Sequence, residues 1–269
     1  MPDRRRWKPS PLIRGSMALH AAAALGAVAA PAGWPWALAA VVGNHALLGA
    51  VGLWPRSGLL GPNLTRLPAA NAGLGQVGLC FDDGPDPAVT PAVLDLLDAT
   101  GAKASFFCIG DRAALHPGIV RDIVRRGHGV ENHTRRHPKS FATFGPSAIR
   151  REVGEAQRLL HDLTGRPPRF FKAPAGLRNP LLEPVLAEMG LRLTTWTRRG
   201  YDTVWRDPAR VTRRLTRGLA AGDLLMLHDG SAARAASGRA VALEVLPVLL
   251  DQLSTRGLTA VSLDGVPNA

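Results

Sequence analysis

The chain has 269 residues, 46% hydrophobic and 20% charged, and its 33 Lys and Arg against 21 Asp and Glu give a formal net charge of +12. That size and apolar content support one sizeable α/β domain with a further element added. The charge alone would suit nucleic acid, but no recognition motif is present and aromatic residues make up only 5%, so there is no stacking platform and nucleic acid is excluded as a partner.

Residues 1–67 differ from the rest. The first sixteen carry Arg4, Arg5, Arg6, Lys8 and Arg14 against Asp3. Two low-charge stretches follow, 15–30 and 36–54, separated by the turn-rich Pro31-Ala32-Gly33-Trp34-Pro35. The second is long enough to span a bilayer, which takes roughly 20 apolar residues. The first is shorter and rich in alanine. Trp34, Trp36 and Trp54 stand where interfacial aromatics belong, whereas His20, Asn44 and His45 are the polar exceptions. A two-helix membrane hairpin accounts best for the pair. A signal peptide, with 17–30 as its apolar region and cleavage near Ala32, leaves 36–54 unexplained. Two soluble helices packed on the downstream domain conflict with the absence of a polar face on the second run. The basic start, with Arg56 and Arg66 after the second run, sets a hairpin's two ends in the cytoplasm of a bacterial inner membrane; a single span would face the rest outward. The chain thus divides into 1–67, a basic start with membrane segments and a linker, and 68–269, a separate α/β domain.

Downstream of Leu67, short apolar runs alternate with amphipathic stretches. The runs predict strands at 77–81, 104–109, 129–132, 169–172, 192–196, 224–228 and 259–263. The stretches between them predict helices at 91–99, 118–126, 147–163, 180–189, 208–221 and 240–256. Thr90-Pro91, Asn179-Pro180 and Asp207-Pro208 each set a capping residue before a proline at the first helical position. Gly101, Gly127, Gly165, Gly190, Gly222 and Gly257 act as helix stops. Strand and helix in alternation mean a parallel sheet. Cys80 and Cys108 fall on neighbouring strands and read as packed thiols.

Three motifs carry chemistry. Cys80-Phe81-Asp82-Asp83-Gly84-Pro85-Asp86-Pro87 ends an apolar strand with two carboxylates and an enforced turn. Neighbours at a strand end point different ways, so one carboxylate can bind a metal while the other takes a proton. His133-Thr134-Arg135-Arg136-His137 spaces two imidazoles as on one face of a helical turn. With one carboxylate they make a three-ligand site with open positions, the pattern of catalytic zinc. Leu224-Leu225-Met226-Leu227-His228-Asp229 places a histidine at the end of another buried strand, suited to a general acid. Taken singly, these are more often a solvated turn, a chance spacing and a core histidine. Their force is joint, since each ends a predicted strand.

From about Gln76 to Leu263 the chain resembles the polysaccharide deacetylase family, the NodB-homology domain. The resemblance rests on Phe81-Asp82-Asp83-Gly84-Pro85, on Asn132-His133-Thr134-Arg135-Arg136-His137-Pro138 and on Leu225-Met226-Leu227-His228-Asp229. Looser matches are Phe171-Lys172-Ala173-Pro174-Ala175-Gly176 and the segment from Trp196 to Asp202. It implies a distorted, incompletely closed seven-stranded (β/α) barrel that hydrolyses an acetyl group, usually the N-acetyl of a sugar, with a divalent metal. Asp82 would be the base and His228 the acid that protonates the leaving amine. Asp83, His133 and His137 would hold the metal, zinc by default, with cobalt, manganese or iron as alternatives. Lys172, Pro174, Trp196 and Asp202 would bind substrate or orient those groups, Asp202 by accepting the second ring proton of His228. Two positions depart from the family: Lys172 stands where an arginine orients the base, losing its planar fork, and Ala175 stands where an aromatic walls the groove.

The expected partners are an N-acetylated glycan or lipid-linked sugar and, through the apolar segment, membrane lipid. The arginine runs suit solvated helix faces, anionic headgroups or an anionic substrate such as a polyprenyl-phosphate-linked sugar. An O-acetyl esterase or a deformylase would use the same scaffold. A catalytically idle, membrane-anchored glycan-binding protein is the reading from another class.

Overall fold

The computed structural model describes residues 6–266; Asp3, Arg4 and Arg5 of the basic start lie outside the described residues. Two long helices come first, α1 (Pro11–Ala29) and α2 (Trp34–Gly52), then a short α3 (Ala69–Gly73). The remainder runs β1 (Gln76–Asp82), α4 (Thr90–Thr100), β2 (Ser105–Cys108), α5 (Gly110–Leu115), α6 (Pro117–Arg125), β3 (Gly129–Asn132), α7 (Pro146–Thr164) and β4 (Phe170–Phe171). It closes with α8 (Leu182–Glu188), β5 (Arg192–Leu193), β6 (Arg198–Arg199), α9 (Pro208–Thr216), β7 (Leu224–His228), α10 (Val241–Thr255) and β8 (Thr259–Val261). All seven predicted strands are present, and β6 joins them as a two-residue addition. The sheet order is β5-β4-β3-β2-β1-β7-β6, with β8 paired to β1, and every pairing between strands is parallel.

The sheet curls into a barrel with one seam, between β5 and β6, where no strand pairing occurs. Residues 64–67 fill that seam. Leu64 donates to the carbonyl of Leu193 at 2.9 Å and accepts from Thr195 at 3.0 Å, and Leu67 donates to Gly222 at 2.8 Å. The linker from the apolar helices is therefore built into the barrel wall.

Alternation along β1 separates two cores. Val77, Leu79 and Phe81 face the outer helices, in a cluster with Phe106, Leu225, Leu227, Val245 and Leu249. Cys80 faces the barrel interior with Phe107, Phe170, Leu224 and Leu263. Gly78 is inward too, and a Cβ there would lie 2.3 Å from the Leu224 side chain. This phase aims Asp82, the last β1 residue, into the mouth of the barrel. Cys80 and Cys108 are buried, unbridged thiols on paired strands.

Glu131 of β3 shows how short strands are stitched together. Its carboxylate accepts from the backbone N–H of Arg169 at 2.8 Å and of Phe170 at 2.7 Å. Burial lifts this carboxyl from 4.5 to about 8, although both N–H donors pull it down. A carboxyl raised in the folded state contributes fully below its unfolded pKa and loses that contribution as pH climbs to the folded value. The fold should therefore lose stability between about pH 4.5 and about pH 8 on this account. Glu131→Gln keeps the acceptor and removes the titration. Its Tm should vary less between those pH values than wild type's, and an equal variation would place the dependence elsewhere.

Most helix expectations hold within a turn, and the exceptions are informative. The 208–221 expectation overshoots: α9 stops at Thr216, because Gly218, at φ 65°, turns the chain first. Asp207 does cap α9, accepting from Ala209. Thr90 and Asn179 do not cap as predicted. Thr90 is already helical, and Asn179 caps a turn ahead of α8, accepting from Leu181 at 2.9 Å.

The two apolar helices form a hairpin, each 19 residues long and, by length and composition, apolar enough to cross a membrane. At 1.5 Å per residue each is roughly 29 Å long. The first begins earlier than its composition indicates, because Ser10 caps it and Pro11 occupies its first turn. The polar exceptions meet one another: Asn44 donates to Ser16 at 2.9 Å, and His20 and His45 touch at 3.2 Å. Only the base of the hairpin docks on the barrel. A Cβ on Gly52 would lie 2.2 Å from the carbonyl of Arg178, and Ile13, Leu48 and Val51 cluster with Leu60. Leu25, Val28 and Trp36 are 71%, 82% and 81% exposed, so most of the apolar surface has no cover from the barrel.

Candidate active site

The chemistry-bearing residues converge at the carboxyl ends of β1, β3, β4 and β7. This is where parallel barrels place their sites, since each strand there releases its chain into a free loop.

At the end of β1, Asp82 keeps the inward phase and Asp83 breaks it by adopting φ 71°. A non-glycine residue in that region is strained, and its neighbours hold it there. Arg112 of α5 donates to the Asp83 carbonyl at 2.7 Å. Gly84 and Gly230 permit the approach of the β1 and β7 loops: a Cβ on Gly84 would lie 2.1 Å from the Asp229 carboxylate, and one on Gly230 would lie 2.2 Å from the Asp83 carbonyl. Asp229 accepts from Thr90 at 2.6 Å. That is the task of the threonine expected to cap α4. Burial pushes the Asp229 carboxyl up to about 7.

Asp82 meets Lys172 from the end of β4. The ammonium donates to its Oδ1 at 2.5 Å and lies 4.0 Å from the centre of the Phe107 ring. Both members of the pair are nearly inaccessible, at 3% and 1%. The lysine in place of the family's arginine thus still reaches the aspartate.

His133 and His137 do come together, with ring centres 4.7 Å apart, but not on a helix. The segment between them is a loop in which Thr134 and His137 take φ 65° and 55°. Asn132 pins its start, accepting from the Thr134 N–H at 3.0 Å while donating to Val153 and Gln157 of α7. Thr134 then accepts from the N–H of His137 at 2.9 Å. Side-chain hydrogen bonds replace the helical turn that the spacing predicts.

One oxygen of Asp83 and one nitrogen each of His133 and His137 lie within 4.8 Å of one another. The donor chemistry fits a cation. His133 Nδ1 faces the carbonyl of Lys172 at 2.8 Å, and a carbonyl only accepts, so Nδ1 carries the proton. Its Nε2 then offers a lone pair toward Asp83 Oδ1, 3.2 Å away. Two lone pairs facing each other need a positive charge between them, a metal ion or a proton. Burial raises the Asp83 carboxyl, but the hydrogen bond and charge of His133, with His228 and His137, outweigh it and hold the group well below the usual carboxylate range. Burial and neighbouring His133 push His137 down to about 4. An anionic carboxylate at Asp83 and a neutral imidazole at His137 are protonation states that suit a divalent ion.

Opposite stands His228, paired in register with Asp82. Asp202 accepts from its Nδ1 at 2.9 Å and from its backbone N–H at 2.7 Å. Burial depresses His228, yet the charge and hydrogen bond of Asp202 prevail and raise it. That contact fixes the tautomer and leaves Nε2 available to a ligand.

A cavity of about 190 Å³ joins these groups, lined by Asp82, Asp83, His133, His137, Trp196 and His228. Pro174 is buried and opens the turn that presents Ala175 on the rim at φ 55°. Trp196 lines the cavity beside Ala175, and Pro55 of the linker packs behind the same turn. Both crowd Gly176, whose Cβ would lie 2.6 Å and 2.9 Å from them. Arg112, Arg199, Thr203 and Ser231 also reach the cavity or its rim. Arg199 falls in the Trp196–Asp202 segment but carried no role there; Arg112, Thr203 and Ser231 sit in no motif, and α5, which carries Arg112, has no periodic signal of its own.

Comparison with known proteins agrees with this arrangement. The family model described as polysaccharide deacetylase matches residues 70–194, downstream of the hairpin. The chitooligosaccharide deacetylase of Azorhizobium caulinodans is 33% identical over 191 residues, 68% of this chain and 90% of that protein. The peptidoglycan-N-acetylglucosamine deacetylase PgdA of Listeria monocytogenes is 30% identical over 189 residues, 70% of this chain but only 38% of that longer protein. Among solved structures, the Bc1960 peptidoglycan N-acetylglucosamine deacetylase superposes with a TM-score of 0.68 at 25% identity, over 76% of this chain and 92% of its own.

Proposed function

Because the chain belongs to the polysaccharide deacetylase family, we propose that it is a metal-dependent hydrolase that removes the acetyl group from an N-acetylated sugar of a glycan or lipid-linked saccharide. The observation that carries this reading is the single cavity in which an Asp-His-His ligand set lies between a lysine-held aspartate and an aspartate-held histidine.

Asp83, His133 and His137 would hold the ion, with zinc first among the candidates. When bound, it supplies Lewis-acid polarisation of the acetyl carbonyl and makes a water more acidic. Asp82 takes the proton of the water that adds to the carbonyl carbon. Lys172 holds one of its oxygens and leaves the other for that proton. As the carbon–nitrogen bond breaks, His228 gives its proton to the departing nitrogen, so acetate and a free amine leave. Trp196 packs against the sugar.

His228 must be protonated to act, so activity should be full below its raised pKa and fall as pH rises through it. Asp202→Asn removes the charge that raises it and should move the alkaline limb of kcat/KM to lower pH. An unmoved limb would assign the titration to another group.

Residues 1–67 serve as anchor and linker in this reading, and 68–269 as the catalytic part. Ser10, at the start of α1, donates to the carbonyl of Leu59 in the linker, so both hairpin ends lie at the barrel. Arg6, Lys8, Arg14 and Arg56 belong to that end, which by the positive-inside rule supports a cytoplasmic barrel for a hairpin that spans the inner membrane. The deciding experiment is acid release by the detergent-solubilised full-length protein with added zinc. The substrates are an N-acetylglucosamine oligomer, an O-acetylated glycan and a polyprenyl-phosphate-linked N-acetyl sugar, with Asp82→Asn as control. Acetate from an N-acetyl substrate, lost in the control, is the expected result. Release only from the O-acetylated glycan, or of formate, would move the reading to an esterase or a deformylase, and no acid at all would favour the idle binding protein.

A further inference from the structure

Beside the catalytic cavity lies a larger groove of about 690 Å³. The two share Trp196 and Arg199 in their linings, so they adjoin. The groove is lined by arginines and aromatic rings and by no Asp or Glu. Arg210, Arg213, Arg214 and Arg217 fall three and four residues apart, and so on one face of α9 and its end. Like charges so spaced repel each other by a few tenths of a kcal/mol per pair. The α9 dipole offsets this for Arg213 and Arg214 in its last turn, but not for Arg199, Arg210 and Arg56, which line the same groove.

Three of these guanidiniums lie over aromatic rings. Arg210 stacks 3.9 Å from the centre of Trp205, Arg214 lies 4.7 Å from Tyr201, and Arg199 lies 5.1 Å from Trp196. Among the described residues only Arg198 of this set has a carboxylate partner, Asp223. The Arg199 Nε is buried and finds no acceptor. Stacking leaves the donor edges of a guanidinium directed outward, the arrangement that grips phosphate in a bidentate manner.

The groove also includes Trp54, Pro55 and Arg56, which follow α2 and its capping residue Leu53. With the hairpin in a bilayer, as the proposed function has it, a groove at its base would lie at the depth of lipid phosphates. A neutral N-acetylglucosamine polymer offers nothing to this set of cations. Headgroups at large would engage the outward arginines of α9, but not Arg199, which is only partly exposed and borders the catalytic cavity.

We propose that this groove binds the phosphate or diphosphate through which an N-acetylated sugar is carried on a membrane lipid, while the sugar occupies the adjoining catalytic cavity. The inference rests on the deacetylase reading and narrows its substrate class. The groove then acts as a specificity site, and the hairpin brings the enzyme to where such carriers reside.

The test uses the full-length zinc-loaded protein in neutral phosphatidylcholine nanodiscs. Two probes differ only in the anion: citronellyl-diphospho-N-acetylglucosamine and citronellyl N-acetylglucosaminide. Dissociation constants are measured on radiolabelled probe and KM on acetate release. The diphosphate probe should bind at least about a hundredfold more tightly, and Arg210→Gln with Arg214→Gln should collapse that ratio toward one, at roughly tenfold per guanidinium lost. Retained metal content shows that the variant is folded, and Arg199→Gln serves as an independent second variant. Equal affinity for the two probes in wild type, or an undiminished ratio in both variants, overturns the proposal. So does a variant that keeps the ratio but loses affinity for phosphatidylglycerol nanodiscs, because the groove would then serve headgroups. Acetate from the glycoside without a diphosphate preference would sink the groove and leave the deacetylase standing. An arginine-dependent preference without acetate from either probe would do the reverse.

Discussion

Asp82→Asn is expected to lower acid release by about a thousandfold, within the range for loss of a general base, with the metal content unchanged. Asparagine keeps the shape and an oxygen for Lys172, but it cannot take a proton from water. The metal should stay because its ligands are on Asp83 and the loop after β3, not on Asp82. The substitution also leaves the Lys172 ammonium buried without its counter-ion, and breaking such a pair costs on the order of 3–5 kcal/mol of stability. Rate and folding must therefore be read together. A variant that retains one metal per chain and a cooperative melt but has lost its rate identifies Asp82 as the base. One that retains its rate would assign the base to another group.

How much of this site could be read from the chain depends on how local each signal is. Asp82 and Asp83 were legible because strand alternation and a Gly-Pro turn act over neighbouring residues, and the inward phase of β1 follows from Val77, Leu79 and Phe81 facing the helices. His228 was legible for the same reason. His133 and His137 were legible as a spacing, but their geometry was not. A helical turn and a loop pinned by Asn132 and Thr134 bring the same two rings together, and only α7, distant in sequence, decides between them. Arg112, the Thr90–Asp229 link and the plug at 64–67 were illegible because each exists only through a contact with a remote strand end. The strand β6 is two residues long and has no periodicity to show. The polar residues of the apolar helices point the same way: His20, Asn44 and His45 weaken a hydropathy reading, yet across the hairpin they are mutually satisfied.

The two histidine ligands should not fail alike. His137→Ala removes a ligand that is 27% exposed at the side chain and tied to the rest of the site mainly through its own loop. Loss of a supporting partner alone costs 10–100-fold in metal affinity, so loss of the ligand itself should exceed about 100-fold. Excess zinc should nevertheless restore part of the rate, because Asp82, Lys172 and His228 are untouched. His133→Ala removes more. Its ring is buried, and its Nδ1–H donates to the carbonyl of Lys172, whose ammonium holds Asp82. Without that bond the Lys172 carbonyl is left buried and unpaired, the end of β4 relaxes, and the base loses its anchor together with the metal. The expected result is a similar loss of metal affinity in both variants, with zinc rescue of kcat in His137→Ala and little or none in His133→Ala. Equal rescue would mean that His133 serves the metal alone. Full metal and full rate in both variants would remove Asp83, His133 and His137 as the metal centre.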